Sequence, residues 1–191
     1  MRLNNICKDY GGHTVLTDFS LDIPDGEVTW IMGPSGTGKT TLLRILAGLE
    51  EYTGSIEGID GKRAVMMFQE DRLFEQLSAL DNVILGGADK TEAEKWLLKT
   101  GLSQQDIKKP ASELSGGMKR RTALIRTLLC PDRSLLLMDE PFTGLDMDNR
   151  KKAAELINSL RNGRTMAAVT HDKSDAELIF GEIVNMHKKI E

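Results

Sequence analysis

The chain contains one octapeptide that sets its architecture: Gly33-Pro34-Ser35-Gly36-Thr37-Gly38-Lys39-Thr40. It matches the pattern GxxxxGK[ST] and lies between an apolar run, 27–32, and a segment with apolar residues at helical spacing, 39–48. Glycines let backbone N–H groups curl around a polyphosphate, and the following helix directs its positive N-terminal end at the same anion. The octapeptide therefore predicts a phosphate loop, in which Lys39 reaches the β- and γ-phosphates and Thr40 ligates Mg²⁺.

The composition of the 191 residues is that of a globular protein, with 40% hydrophobic residues and 18 glycines. No apolar stretch approaches the roughly 18 residues that a membrane span requires. Lys and Arg number 25 and Asp and Glu 29, giving a net charge of −4 that argues against a general nucleic-acid binder. The basic run Lys119-Arg120-Arg121 is accordingly predicted to be a solvated helix face. We expect a cytoplasmic globular protein.

Strand and helix patterns alternate on both sides of a helical segment. Before residue 70 the pattern is mostly β, and the Asp60-Gly61 turn is expected to pair segments 54–59 and 63–68 as a hairpin. Residues 78–129 contain three helical patterns, and after Pro131 apolar strands alternate with helices again. This order predicts an α/β fold with a mainly parallel core sheet, a small antiparallel β lobe and an inserted helical lobe.

The chain 1–191 is interpreted as a single domain with an insertion. Residues 1–69 and 131–191 are assigned to the core and the β lobe. Residues 70–130 are assigned to the helical lobe, because they lack the strand patterns of the flanking segments.

Two carboxylates, Asp139 and Glu140, end the apolar run 134–138. A strand that is apolar on both faces belongs in the middle of a parallel sheet, and such sheets bind ligands at their carboxyl ends. Asp139 is predicted to hold Mg²⁺ through water, and Glu140 to polarise the attacking water as a general base. The alternative is that Asp-Glu-Pro begins an ordinary loop. The phosphate loop in the same chain favours the catalytic interpretation.

A further motif, Leu114-Ser115-Gly116-Gly117, leads to a family resemblance. The chain resembles the ATP-binding cassette (ABC) ATPases, whose hallmark is this LSGG signature, and the resemblance covers essentially the whole chain. It implies a P-loop NTPase fold, with ATP and Mg²⁺ as cofactors and ATP hydrolysis as the activity. One departure is Met118, which stands where the family usually has Gln, and we expect it to change the rate or coupling of hydrolysis without loss of ATP binding. The matching motifs are Tyr10, 33–41, Gln69, 114–117, 137–140, 143–146 and His171.

The resemblance implies a role for each matching residue. Glu140, His171 and Gln69 would be catalytic, and Thr40, Gln69 and, through water, Asp139 would hold the metal. Asp146 matches a loop that crosses the interface between two cassettes. For Tyr10, which would stack on adenine, the alternative is a surface tyrosine on an edge strand. Nucleotide contacts are implied for Tyr10, Gly33, Pro34, Ser35, Gly36, Thr37, Gly38, Lys39, Thr40 and Thr41, and contacts to the ATP of the partner chain for Ser115, Gly116 and Gly117.

Two segments, 69–74 and 80–83, are similar to importer ATPases of the nitrate, sulfonate and taurine type. The resemblance implies an ATP-hydrolysing subunit that powers solute transport through separate membrane subunits. In transporters this region borders the groove that receives a helix of the permease, so Leu73 and Phe74 are expected to be exposed there. Packing inside the helical lobe is the alternative for this pair.

The resemblance also implies partners and a location. A second copy is expected to bind head to tail on ATP binding, together with integral membrane permease subunits and, for an importer, a substrate-binding protein; no nucleic acid is expected. The chain would be cytoplasmic and peripherally associated with the inner face of the cell membrane. Two other functions stay open, a soluble ABC ATPase and a nucleotide-gated regulatory module without a transport role.

Overall fold

The structure, a computed structural model, describes residues 1–58 and 63–187 of the chain and contains both strands and helices. In these ranges the strands are β1 (Arg2–Tyr10), β2 (His13–Asp22), β3 (Val28–Met32), β4 (Thr53–Glu57), β5 (Ala64–Met67), β6 (Leu135–Asp139), β7 (Thr165–Val169) and β8 (Glu182–Asn185). The α-helices are α1 (Lys39–Leu46), α2 (Ala79–Leu85), α3 (Lys90–Lys99), α4 (Gly116–Leu128), α5 (Met147–Arg161) and α6 (Lys173–Leu178). None of these helices has the length and apolar character needed to span a bilayer.

Five strands form the larger sheet in the order β5-β6-β7-β3-β8, in which β6, β7, β3 and β8 run parallel. All residues of β3, β6 and β7 are buried, as expected for parallel strands covered on both faces. The register places both Ile31 and Asp139 opposite Val169. The carboxyl ends of three neighbouring strands therefore meet at one edge of the sheet, and the predicted mainly parallel core is confirmed.

The smaller sheet is antiparallel, with the order β2-β1-β4. The predicted hairpin between β4 and β5 is wrong, because β4 pairs with β1 and β5 lies beside β6 in the larger sheet. The Asp60-Gly61 turn lies outside the described residues. An Asp-Gly pair is a local signal, whereas the observed pairing is set by burial of apolar side chains from distant strands, such as Leu3 of β1 and Leu135 of β6.

Two compact units can be distinguished, each with its own hydrophobic core. The first comprises Met1–Met66, Arg133–Glu140 and the chain from Gly163 onward, and the second comprises Met67–Asp132 and Pro141–Asn162. Helix α5, which the sequence division assigns to the core, belongs to the second unit, where its Leu156 and Leu160 pack on the helical core.

The basic run on α4 is not the solvated face that the sequence predicts. Arg120 is only 6% exposed. It lies on the same side of α4 as the buried residues Ala123, Leu124 and Thr127, at spacings of three, four and seven residues. Its charge is accommodated because the guanidinium donates hydrogen bonds to backbone carbonyls and to a carboxylate of the same unit.

Candidate nucleotide-binding and hydrolysis site

The phosphate loop connects β3 to α1 in the first unit, and its backbone depends on glycine. Gly33, Gly36 and Gly38 all have positive φ, at 150°, 81° and 91°. A Cβ on Gly33 would lie 2.3 Å from the carbonyl oxygen of Met186, and one on Gly38 would lie 2.7 Å from Leu16. The loop thus has both the conformation and the close packing that require glycine.

Lys39, the first residue of α1, is held inside this loop. Its Nζ donates hydrogen bonds to the carbonyl oxygens of Gly33 at 2.7 Å and Pro34 at 2.8 Å. Burial lowers the pKa of the Lys39 ammonium, and the carboxylates of Glu140 and Asp139 oppose this shift. The two carboxylates predicted from the acidic strand end are therefore close enough to act on the loop lysine.

Asp139 and Glu140 stand where β6 ends. Asp139 is 2% exposed and is the last residue of the strand. The backbone N–H of Glu140 donates to the carbonyl oxygen of Val169 at 3.0 Å, which ties the two strand ends together. Glu140 itself has φ 50°, a left-handed conformation that is uncommon for a residue other than glycine.

Glu140 contacts His171, which follows the end of β7. The Nε2 atom of His171 lies 2.8 Å from Oε1 of Glu140, with the histidine side chain 44% exposed and the glutamate side chain 15% exposed. The sheet brings them together because β6 and β7 are parallel neighbours whose carboxyl ends coincide. The imidazole fixes one carboxylate oxygen of Glu140 in direction, an arrangement that suits a general base.

Tyr10 lies at the end of β1 and is 42% exposed. The Nζ atom of Lys8 lies 4.6 Å from the centroid of its ring, a cation–π contact. Lys8 also forms an ion pair with Glu50 at 3.0 Å. The Tyr10 ring is thus accessible and has a positive charge beside it. Its contact with adenine stays a prediction.

The signature residues begin α4 in the second unit. Ser115 is the N-cap, and its hydroxyl accepts a hydrogen bond from the backbone N–H of Met118 at 3.3 Å. Ser115 and Gly116 are exposed, so the first turn of a 13-residue helix presents its N–H groups at the surface. The side chain of Met118 packs against the helical core, which gives this departure from the family a packing role.

Gln69 lies in a segment whose backbone carbonyls accept hydrogen bonds from arginines of α4. Nη1 of Arg120 donates to the carbonyl oxygens of Phe68 at 3.1 Å and Gln69 at 3.0 Å. Arg126 donates to the carbonyl oxygens of Asp71 and Arg72, both at 2.9 Å. The sequence interpretation missed both arginines, although the helical spacing of Arg120 from Ala123, Leu124 and Thr127 contained the signal.

Asp146 caps α5, also in the second unit. Its carboxylate accepts hydrogen bonds from the backbone N–H of Asn149 at 2.8 Å and from the Asn149 side chain at 3.0 Å. The backbone hydrogen bond from Asn149 lowers the pKa of Asp146, with the side-chain amide adding to the effect. Asp146 has a structural role within its own helix in addition to any role at an interface.

A glycine-rich loop between a buried strand and a helix, with an acidic neighbouring strand end, defines a P-loop NTPase. The family model described as ABC transporter matches residues 16–143. The chain is 37% identical to the glutamine transport ATP-binding protein GlnQ of Escherichia coli, over 98% of this chain and 88% of that protein. It is 42% identical to the aliphatic sulfonates import ATP-binding protein SsuB 1 of Rhodococcus jostii, over 92% of this chain and 74% of that protein.

Among solved structures, the dimeric ATP-binding cassette MJ0796 in a post-hydrolysis state with ADP and Pi matches with a TM-score of 0.81. The two are 29% identical, over 97% of this chain and 93% of that chain. The chain belongs to the ABC transporter family. The fold class, the family and the ATPase activity with ATP and Mg²⁺ are thereby confirmed. The function expected from the sequence, that of an ATP-hydrolysing transporter subunit, is the function of this family.

Proposed function

We propose that this chain hydrolyses ATP at the Glu140–His171 pair and thereby drives import of a small solute through separate membrane subunits. The observation that carries the proposal is the 2.8 Å contact between Nε2 of His171 and Oε1 of Glu140, beside a buried phosphate-loop lysine. A purely regulatory nucleotide-binding module would not need an ordered base. The contact therefore favours hydrolysis over the regulatory alternative.

Glu140 is proposed as the general base and His171 as the residue that positions it. A carboxylate that receives a proton from the attacking water must point at the γ-phosphate, and one oxygen held by an imidazole fixes its direction. The left-handed backbone turns Glu140 away from the line of β6, so that its side chain follows a different course from that of Asp139. The two carboxylates can thus serve separate tasks.

The residues present fit a magnesium ion. Asp139 is a buried carboxylate whose charge acts on Lys39, and Thr40 is the next residue of α1. Carboxylate and hydroxyl oxygens together with phosphates are the ligands that Mg²⁺ prefers. We assign Thr40, Asp139 through water, and Gln69 as its protein ligands; when bound, the ion would neutralise charge on the phosphates.

The nucleotide contacts are assigned to the phosphate loop and α1, 33–41, with Tyr10 against the adenine. Lys39 forms hydrogen bonds to the loop carbonyls, and exchanging these for phosphate oxygens would place its charge where negative charge develops. Gly36 and Gly38 have positive φ values, a conformation in which backbone N–H groups of the loop can turn toward a bound phosphate. These N–H groups are the remaining proposed donors.

The complete site is proposed to need a second copy of the chain. Ser115, Gly116 and Gly117 present a helix N-terminus at the surface, a ready receptor for a γ-phosphate bound by another chain. The dimeric state of the ATP-binding cassette MJ0796 supports this assignment. The homodimer is expected to close on ATP and open after hydrolysis.

The membrane partner is proposed to dock near Phe74. A small cavity of about 250 Å³ in the second unit is lined by the apolar side chain of Leu73 and by the charged residues Asp71, Arg72, Glu75 and Lys119. Phe74 follows Leu73 in sequence and is 56% exposed. Because one relative is named for transport and another for import, we assign import, a permease partner and a substrate-binding protein to this chain. The chain would then work at the inner face of the cell membrane.

The test is the steady-state ATPase rate of Glu140→Gln beside ATP affinity. We expect turnover to fall by about a hundred-fold or more, as when a general base is removed, with ATP affinity preserved. His171→Ala should lower turnover as well, whereas Glu177→Gln, an exposed glutamate on α6, should leave it unchanged. Wild-type turnover in Glu140→Gln would rule out the assigned base.

A further inference from the structure

A cavity of about 280 Å³ lies among α3, α4 and α5 of the second unit. It shares no lining residue with the motifs of the nucleotide site. Its apolar wall includes Leu156 and Trp96, and both belong to the residues packed on the helical core. Its size is close to the lower limit for small-molecule sites, about 300 Å³.

The charges around this cavity are opposite in sign to those of the whole chain. Lys99 from α3, Arg121 from α4 and Lys152 from α5 line it, against one acidic residue, Glu155. The chain as a whole carries a net charge of −4. Three cations from three helices around one concave surface create a local positive potential that attracts anions.

Arg121 gives a second, independent observation. Its Nε atom is buried and has no hydrogen-bond partner within the part of the chain that the structure describes. A buried donor on a charged group that stays unpaired is costly, and such groups are rare in native proteins. Because this Nε atom has almost no accessible surface, a bound anion is expected to meet the guanidinium through its Nη atoms, and an oxygen that reaches Nε requires a small shift of the side chain.

Trp96 adds an aromatic wall beside a cation. Its indole Nε1 donates to Glu92 at 2.9 Å, and the Nζ atom of Lys99 lies 4.3 Å from the ring centroid. The indole is thus fixed in orientation, and it holds the Lys99 ammonium at the cavity. Apolar surface next to fixed positive charge suits a ligand that has an apolar body and an acidic group.

We propose that this cavity binds a small organic anion, a carboxylate or a phosphate monoester on an apolar body. The acidic group contacts Arg121 and Lys152, and the apolar body lies along Leu156 and Trp96. Since the cations come from three helices, the bound anion links α3, α4 and α5. Ligand therefore stabilises the second unit against unfolding, by an amount that grows with the logarithm of its concentration above the dissociation constant.

The probes are phenyl phosphate, phenylacetate, neutral phenylacetamide and inorganic phosphate, added to the full chain in the absence of ATP. Binding is measured by calorimetry and by tryptophan fluorescence. The chain has two tryptophans, and Trp30 is fully buried in a strand, so a fluorescence change reports on Trp96. We expect the two organic anions to bind at least tenfold more tightly than phenylacetamide and inorganic phosphate, and to raise the melting temperature.

Two variants and one control locate the site. Arg121→Gln and Lys152→Gln should each weaken binding by about tenfold or more, the usual effect of losing a hydrogen bond to a charged group. Lys151→Gln makes the same charge change on an exposed neighbour in α5 and should bind like the wild type. Lys152 is exposed, so its variant should fold.

Three results would overturn the proposal. The first is no binding of either organic anion at about 10 mM, well above the range of specific ligands. The second is an affinity for a control probe equal to that for the organic anions. Equal affinity for phenylacetamide would show that the charge has no role, and equal affinity for inorganic phosphate would show that the apolar wall has none. The third is binding that Arg121→Gln and Lys152→Gln leave unchanged.

Discussion

Gly33 and Gly36 show how the phosphate loop depends on single residues. Both have positive φ, but their surroundings differ. A Cβ on Gly33 would collide with the backbone carbonyl of Met186, at 2.3 Å, whereas a Cβ on Gly36 would meet nothing within 4 Å. Substitution by alanine therefore tests backbone conformation alone at Gly36. At Gly33 it tests backbone conformation and close packing together.

We expect Gly33→Ala to lower the free energy of unfolding by about 2–5 kcal/mol, because overpacking adds to the cost of a left-handed alanine. Gly36→Ala should cost only about 1–2 kcal/mol, the conformational part. Urea unfolding of the two variants and the wild type measures the difference. Equal losses would show that Met186 does not crowd Gly33.

At the residue level, the sequence indicated which residues the candidate site brings together, but not the hydrogen bonds that hold them. The phosphate loop, Asp139, Glu140 and His171 were found because their motifs have fixed residue types and spacing. The hydrogen bonds of Lys39 to Gly33 and Pro34 and the burial of Arg120 were not, because both depend on which carbonyls the folded backbone brings close. Sequence periodicity carries no information on such partners.

At the level of elements, Asn82 organises the segment that leads into α2. This asparagine is fully buried. Its side-chain oxygen accepts from the backbone N–H of Phe74 at 2.8 Å, and its amide donates to the carbonyl oxygens of Phe74, Leu77 and Ser78. One side chain thus fixes the turn that presents Phe74.

Asn82→Ala should lower the free energy of unfolding by about 2–4 kcal/mol, because several part-buried backbone groups lose their partner. Hydrogen exchange of residues 74–78 should become faster. Gln76→Ala, which removes an exposed amide from the same segment, should change stability by less than about 0.5 kcal/mol. A loss in Asn82→Ala as small as in Gln76→Ala would argue against this role.

Phe74→Ala should weaken retention of the chain by membranes that contain its permease by about ten- to hundred-fold, as expected for loss of an aromatic anchor worth roughly 1–3 kcal/mol. ATP affinity in solution should not change. Leu85→Ala removes an equally exposed apolar side chain from α2 and serves as the control. Equal retention of Phe74→Ala and the wild type, or a collapse in its thermal stability, would remove this segment as the docking surface.

Element boundaries were largely predictable, and pairings were not. The three helical patterns expected within 78–129 are α2, α3 and α4, and the apolar run 134–138 overlaps β6, because apolar periodicity and capping residues act within a few positions. The partners of β4 and β5 depend on strands far away in sequence, β1 and β6. Of the pair at the proposed docking surface, Phe74 is exposed as expected, whereas Leu73 is half-buried against the helical core.

At the level of the whole molecule, the assigned ATP contacts are divided between the two units. The phosphate loop, Asp139, Glu140 and His171 belong to the first unit, and the signature residues belong to the second. The motifs indicated this set of residues, but only a family resemblance implied that two chains share each site. Head-to-tail assembly stays a prediction for this chain.

Mixing two inactive variants tests that prediction. Lys39→Ala damages the phosphate loop and Ser115→Arg damages the signature, so each homodimer should be nearly inactive. A mixed dimer has one site with both defects and one intact site, and ATPase activity should partly recover on mixing. If activity never recovers under conditions where dimers form, the shared site is wrong.

Because Glu140 is the proposed general base, its left-handed backbone opposes selection for activity to selection for stability. Glycine, asparagine and aspartate adopt this conformation routinely, whereas other residues destabilise the native state there by about 1–2 kcal/mol. That is a sizeable part of the 5–15 kcal/mol by which a domain is usually stable. A descendant freed from hydrolysis would therefore drift toward asparagine or glycine at this position and keep its fold. With Glu140 as the proposed general base, continued hydrolysis is the reason that a glutamate would be preserved at position 140.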